Sequence, residues 1–105
     1  MIKNAIMTIE ETIQWFNTRF EQERFWYERP ANFYCGITND LETRKQQHHV
    51  DDLTASVKCD SFDTARQIEQ LLHEAGYDTG KQLGHGQEDS IFVYMYRKIK
   101  GQTIE

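Results

Sequence analysis

Arg44 and His48 stand four residues apart in T-N-D-L-E-T-R-K-Q-Q-H, just after an apolar run that contains Tyr34-Cys35-Gly36-Ile37. On a helix this spacing puts both side chains on one face, about one turn apart. A guanidinium is a fork for an anion, and an imidazole can move a proton near neutral pH. This face therefore bears on whether the chain is an enzyme, a binding module or neither. Further along, Glu69 sits in F-D-T-A-R-Q-I-E-Q-L-L. At about 100° per residue it falls on the margin of the apolar stripe of Phe62, Ala65 and Ile68, whereas Glu74 points to water. A carboxylate placed there is partly desolvated and directed, as a single-carboxylate cation site requires.

These residues need elements to position them. Thr8-x-x-Glu11 reads as a capping box ahead of Ile9, Ile13, Phe16 and Phe20, which predicts an amphipathic helix over about 8–22. Phe25-Trp26-Tyr27 reads as a short strand stopped by Pro30. Asn32 to Thr38 is a second strand with Phe33, Cys35 and Ile37 on one face, close enough to the first to form a hairpin. Asn39 is the expected N-cap of the Arg44 helix, with Glu42 completing its box; this helix should run to about His49. Ala55, Val57 and Cys59 alternate along a third strand. Ile68, Leu71, Leu72 and Ala75 mark a helix from Phe62 that Gly76 stops. Residues 78–90 form a Gly-rich polar loop. The final strand, about 91–97, is apolar on both faces and so central, and the tail from Lys98 should fray. The fold class predicted is α+β: a small, three- to four-stranded, mostly antiparallel sheet flanked by helices, in one domain over 1–105.

Composition narrows the function. The net charge of −5 argues against sequence-independent coating of nucleic acid, which needs many cations on phosphates; a local basic site remains compatible with it. The two cysteines, Cys35 and Cys59, sit inside apolar runs without a C-x-x-C, so a structural zinc site is not expected. No signal-peptide pattern and no run of 18 apolar residues is found, which sets the cytoplasm as the expected location and no membrane as a partner.

Tyr34-Cys35-Gly36, then Thr38-Asn39-Asp40-Leu41, Arg44 and His48, resembles the second half of the GIY-YIG nuclease motif. In that family a Y-[IV]-G strand end leads into a helix carrying a catalytic arginine, often with a histidine one turn later. Ala65-x-x-x-Glu69-x-x-Leu72 is similar to the family's later helix, whose glutamate binds the metal. The resemblance covers roughly residues 33–76. It implies metal-dependent hydrolysis of phosphodiester bonds in nucleic acid, DNA ahead of RNA, with a single Mg²⁺ or Mn²⁺ site at Glu69. Arg44 would hold the scissile phosphate, and His48, Tyr34 or Tyr27 would help to deprotonate the attacking water. Gly36 would let substrate approach the strand end, and Thr38, Lys81 and His85 would contact it.

Three departures accompany the match, one of them the extra N-terminal helix ahead of the motif. The family's first strand ends Gly-Ile-Tyr about ten residues before the second tyrosine, and no such tripeptide exists here. The best counterpart is Phe25-Trp26-Tyr27, with Tyr27 seven residues before Tyr34. The family often has an asparagine near its final strand, and none follows Asn39, so that role is vacant or falls to His85, Gln87 or Ser90. The resemblance also requires strands 25–29 and 32–38 to pair as a hairpin beside the Arg44 helix. Without an attached DNA-binding domain, the substrate would be structured or delivered by a targeting protein. Two alternatives stay open: a catalytically inactive domain of the same kind that binds nucleic acid or a protein, and an unrelated α+β interaction protein. Other motifs carry less. His48-His49 point about 100° apart on a helix and converge poorly on a metal. Gly80 to Gly86 lacks the Gly-Lys-Ser/Thr ending of a phosphate loop and precedes a strand.

Overall fold

A computed structural model describes residues 2–4, 7–80 and 88–105. The elements run β1 (Ile2–Asn4), α1 (Ile9–Glu23), a 3₁₀ turn (Pro30–Asn32), β2 (Phe33–Thr38), α2 (Leu41–His48), β3 (Ala55–Lys58), α3 (Phe62–Glu74) and β4 (Phe92–Arg97). Four strands form one sheet in the order β1-β3-β4-β2. Strands β2 and β3 both run antiparallel to β4, and β1 adds a short parallel edge beside β3. The α+β class and the central last strand therefore hold.

Period-two alternation divides the sheet into two faces. Phe33, Cys35 and Ile37 of β2, Ala55 and Val57 of β3, and Val93 and Met95 of β4 point into one hydrophobic core with Phe16, Phe20, Ala65, Ile68 and Leu72 of α1 and α3. Phe20 meets Phe33 edge-on at 5.0 Å and Tyr77 at 5.6 Å between ring centroids. Such contacts add about 0.5–1.5 kcal/mol per pair beyond area burial. Phe16 is wholly buried, so Phe16→Ala should cost roughly 3–5 kcal/mol. Helix α1 starts as its sequence dictates. The Thr8 Oγ1 accepts from Glu11 N at 3.0 Å, and the Glu11 carboxylate accepts from Thr8 N at 2.9 Å.

The opposite face is polar-aromatic. Tyr34, Gly36 and Thr38 alternate with the core residues of β2, and Tyr94 and Tyr96 do so on β4. The register brings them together: Tyr34 lies opposite Tyr96 and Gly36 opposite Tyr94.

Several expectations are corrected. Residues 25–29 form no strand, and the hairpin with 32–38 is absent; β4 occupies the place beside β2. The cause is local. The buried carboxylate of Glu28 accepts from Phe25 N at 2.7 Å and from the Arg97 guanidinium at 2.9 and 3.0 Å. Phe25 N thus finds a side chain instead of a neighbouring strand, and the segment turns back on itself. On its free edge β2 is met by Asp78: Cys35 N donates to Asp78 O at 2.8 Å and Asp78 N to Phe33 O at 3.0 Å. The N-cap of α2 is Asp40, which accepts from Thr43 N, while the Asn39 side chain donates to Asp89 at 3.1 Å. The tail does not fray, since Ile104 N donates to His48 O at 2.8 Å. Gly76 does end α3, with φ of 105°. Among the described residues no helix is long and apolar enough to cross a membrane.

Candidate active site

Helix α2 is only eight residues long, and its entry is fixed by two small devices. Thr38 Oγ1 accepts from Asp40 N at 3.1 Å and donates to Asp40 O at 3.2 Å; Asp40 then caps the first turn. The hydroxyl expected to touch substrate is thus engaged in turning β2 into α2. The helix closes at His49, a left-handed residue with φ of 56°. Between these ends Arg44 and His48 face the polar-aromatic side of the sheet.

His48 is the hub of this side. It is 6% exposed, and its ring lies 5.1 Å from Tyr34, 5.2 Å from Tyr96 and 5.9 Å from Tyr94 between centroids. Its Nδ1 contacts the carbonyl of Ile104, an obligate acceptor, so Nδ1 carries the proton. Tyr96 Oη, 3.1 Å from the same nitrogen, donates its own hydrogen to Glu105 at 2.9 Å and is left to accept from Nδ1. Nε2 is then the bare nitrogen, and the Tyr94 hydroxyl, 3.0 Å away, donates to it. A single tautomer satisfies every contact.

Gly36 makes the arrangement possible. A Cβ at residue 36 would lie 2.5 Å from Tyr94 Oη and 2.8 Å from its Cζ, so only glycine lets the phenol lie across β2. The space expected to admit substrate at Gly36 is filled by Tyr94.

Electrostatics tie in the remaining residues. Burial, then the charges of Glu69 and Asp78, raise the Tyr34 hydroxyl above its usual value, while Arg44 opposes them. Burial raises Tyr94 strongly; Tyr34 and Glu69 add to this and Arg44 again opposes. Burial lowers His48, with Arg44 adding to the effect; the Ile104 carbonyl and Glu105 oppose it. Burial raises Tyr96, with Glu105 adding to it. The tyrosines are therefore neutral hydrogen donors at pH 7, and the imidazole is neutral. Arg44 makes no ion pair among the described residues, and the residue as a whole is half-buried. Glu69, on α3, is 4% exposed, as its marginal position on the wheel predicts.

The structure thus brings Arg44, His48, Tyr34 and Gly36 to the polar-aromatic face, while Glu69 lies on α3, which packs on the core face, and acts on Tyr34 and Tyr94 through its charge. It does not bring Tyr27 there: that residue is 63% exposed, with Phe25 and Trp26 as its ring neighbours. Lys81 and His85, with Gln87, lie outside the described residues, and Ser90 is buried at the start of the final strand region. Tyr94 and Tyr96 were missed in the sequence. Their signal was Y-x-Y in a strand, which puts both hydroxyls on one face, opposite a strand with glycine at the facing rung.

Among the described residues no group of three or more His, Cys, Asp or Glu could hold a metal. Mg²⁺ keeps several waters and takes one or two carboxylates plus phosphate oxygens, so a site at Glu69 would have to draw most of its ligands from water and substrate. No family model, no curated protein sequence and no solved structure matches the chain.

Proposed function

We propose that the region is a metal-dependent nuclease site, cleaving phosphodiester bonds of nucleic acid; it lacks the hairpin of 25–29 with 32–38 that a GIY-YIG arrangement requires, and β4 stands beside β2 instead. The observation that supports the reading is the packing of His48 between Tyr34 and Tyr94, two hydroxyls on which the charges of Arg44 and Glu69 both act. The tyrosine expected at position 27 is replaced in this reading by Tyr94. Its hydroxyl accepts a proton from the attacking water while passing its own to His48 Nε2. The imidazolium so formed keeps its Nδ1 proton on the Ile104 carbonyl, near the Glu105 carboxylate. Arg44 holds the phosphate and spreads its developing charge. A cation at Glu69 would neutralise charge on the leaving group.

Purified protein with Mg²⁺ or Mn²⁺ should nick supercoiled DNA or cleave labelled RNA. Arg44→Ala or Glu69→Ala should abolish this. Cleavage that survives both changes belongs to a contaminant and rejects the reading.

A second reading, a domain that binds nucleic acid or protein without cutting, is favoured by one observation. Both nitrogens of His48 are already hydrogen-bonded within the fold. Under it no metal supports cleavage, yet Arg44→Ala weakens saturable binding.

A further inference from the structure

Phe25, Trp26 and Tyr27 are consecutive and 56%, 88% and 63% exposed. Exposed aromatics of this size are uncommon, and three together form an outward-facing patch. The patch is built, not frayed. Phe25 and Tyr27 stack at 5.9 Å with planes 10° apart, and Trp26 meets Tyr27 edge-on. Arg24 donates to the Glu28 carbonyl at 2.6 Å, and Glu28 N closes the turn on Phe25 O at 3.0 Å. The Arg97 guanidinium lies 4.8 Å from the Phe25 ring centroid while it grips Glu28.

Charge selects the partner. Within 24–29 the one carboxylate, Glu28, is turned inward onto Arg97, and Arg24 is paired with Glu21 at 3.2 Å, so the loop's outer surface presents three rings and Arg29. Arg29 is exposed and makes no ion pair among the described residues. A loop that orders three rings beside this exposed, unpaired arginine suits a polyanion with flat faces. Base-on-aromatic stacking reads no sequence, and an arginine beside it takes a phosphate. The anchoring rung, Phe33–Arg97, is also the neighbour of Tyr34–Tyr96 on the same two strands.

We propose that the Phe25–Trp26–Tyr27 loop is a stacking platform for unpaired bases of nucleic acid, with Arg29 on the adjoining phosphate. This rests on the nuclease reading for its setting and gives that site a substrate class: single-stranded or locally unpaired strands.

The test is binding of a fluorescein-labelled oligothymidylate of about 12 nucleotides, followed by anisotropy in EDTA so that no cleavage intervenes. Saturable binding is expected, with quenching of a tryptophan emission that the Trp26→Ala variant lacks. Trp26→Ala should weaken binding roughly tenfold or more, Arg29→Ala should weaken it less, and a duplex of equal length should compete poorly. The Trp26 side chain is almost fully outside the fold, so a matching thermal melt excludes misfolding. Unchanged affinity in Trp26→Ala overturns the platform. So does Trp26 quenching by phosphatidylserine vesicles, or by self-association in sedimentation, in place of quenching by the oligonucleotide. Trp26-dependent binding without cleavage under any metal upholds the platform and removes the nuclease. Arg44-dependent cleavage with Trp26→Ala fully competent does the reverse.

Discussion

The hydroxyl of Tyr94 lies against the backbone of Gly36, and a single added carbon at residue 36 would meet it at 2.5 Å. Gly36→Ala should therefore displace the phenol, weaken its hydrogen bond to His48, and cost about 1–3 kcal/mol in urea unfolding. In a Tyr94→Ala background the same change should cost much less, because the obstructing ring is gone. Equal costs in both backgrounds would show that the ring is not what requires glycine.

Tyr94→Phe keeps the ring and removes the donor to His48 Nε2. A buried acceptor left alone costs roughly 1–3 kcal/mol. If Tyr94 relays a proton, this variant should also lose cleavage at least a hundredfold while binding the oligonucleotide normally. Retained cleavage would remove Tyr94 from the chemistry.

Burial lowers the His48 pKa below its ordinary value of 6.5, so the unfolded chain takes up a proton that the fold resists. Unfolded protein binds more protons between the folded and unfolded values, and stability rises with pH there. The contribution is complete above about 6.5 and is lost as pH falls through the lowered folded value. Urea midpoints should drop between pH 7.5 and pH 5, and His48→Gln should flatten that part of the profile. A profile unchanged by the substitution would assign the acid sensitivity to other groups.

Ile104 and Glu105 hold the Nδ1 side of the His48–Tyr96 pair. Deleting residues 103–105 should release the imidazole from its fixed tautomer, visible as a shift of its ring ¹⁵N signals towards the averaged values of a free histidine. The core on the other face of the sheet should stay folded. Unaltered ring signals would mean that Tyr94 alone orients the histidine.

Arg97→Ala leaves the buried Glu28 carboxylate without its two-pronged partner. Burial would raise Glu28, but the hydrogen bonds from Arg97 and Phe25 outweigh it and hold the group below its ordinary value. The substitution should cost about 2–3 kcal/mol, less than the ~3–5 of a fully enclosed pair, because Arg97 is partly in water. It should also loosen the 24–29 loop, measured as faster amide exchange at Phe25.

What the sequence disclosed was mostly local. The Thr8–Glu11 box, the alternation of Phe33, Cys35 and Ile37, and Glu69 on the edge of its stripe follow from short-range periodicity, and each reappears in the fold. The failures involve partners distant in sequence. Phe25-Trp26-Tyr27 has strand composition, but Glu28 and Arg97, 69 residues apart, turn it into a loop. Asn39 is a good cap on its own, yet Asp89 engages its side chain and Asp40 takes the position. Strand β1 is three residues long, too short to show a period. Tyr94 and Tyr96 join the site only through the β2–β4 register, which no local pattern states.

The central place of β4 has a consequence for the order of events in folding. Strands β2 and β3 do not touch as a ladder; each pairs with β4, which lies beyond both in the chain. The sheet therefore has a high contact order, and its closure must wait for non-local pairing. During synthesis, a chain that has emerged only through α3 carries Arg44, His48 and Glu69 but neither Tyr94 nor the strand that aligns them. Assembly of the Gly36–Tyr94–His48 arrangement is thus coupled to completion of the sheet, and in a nascent chain that ends at α3 His48 lacks its hydroxyl partners.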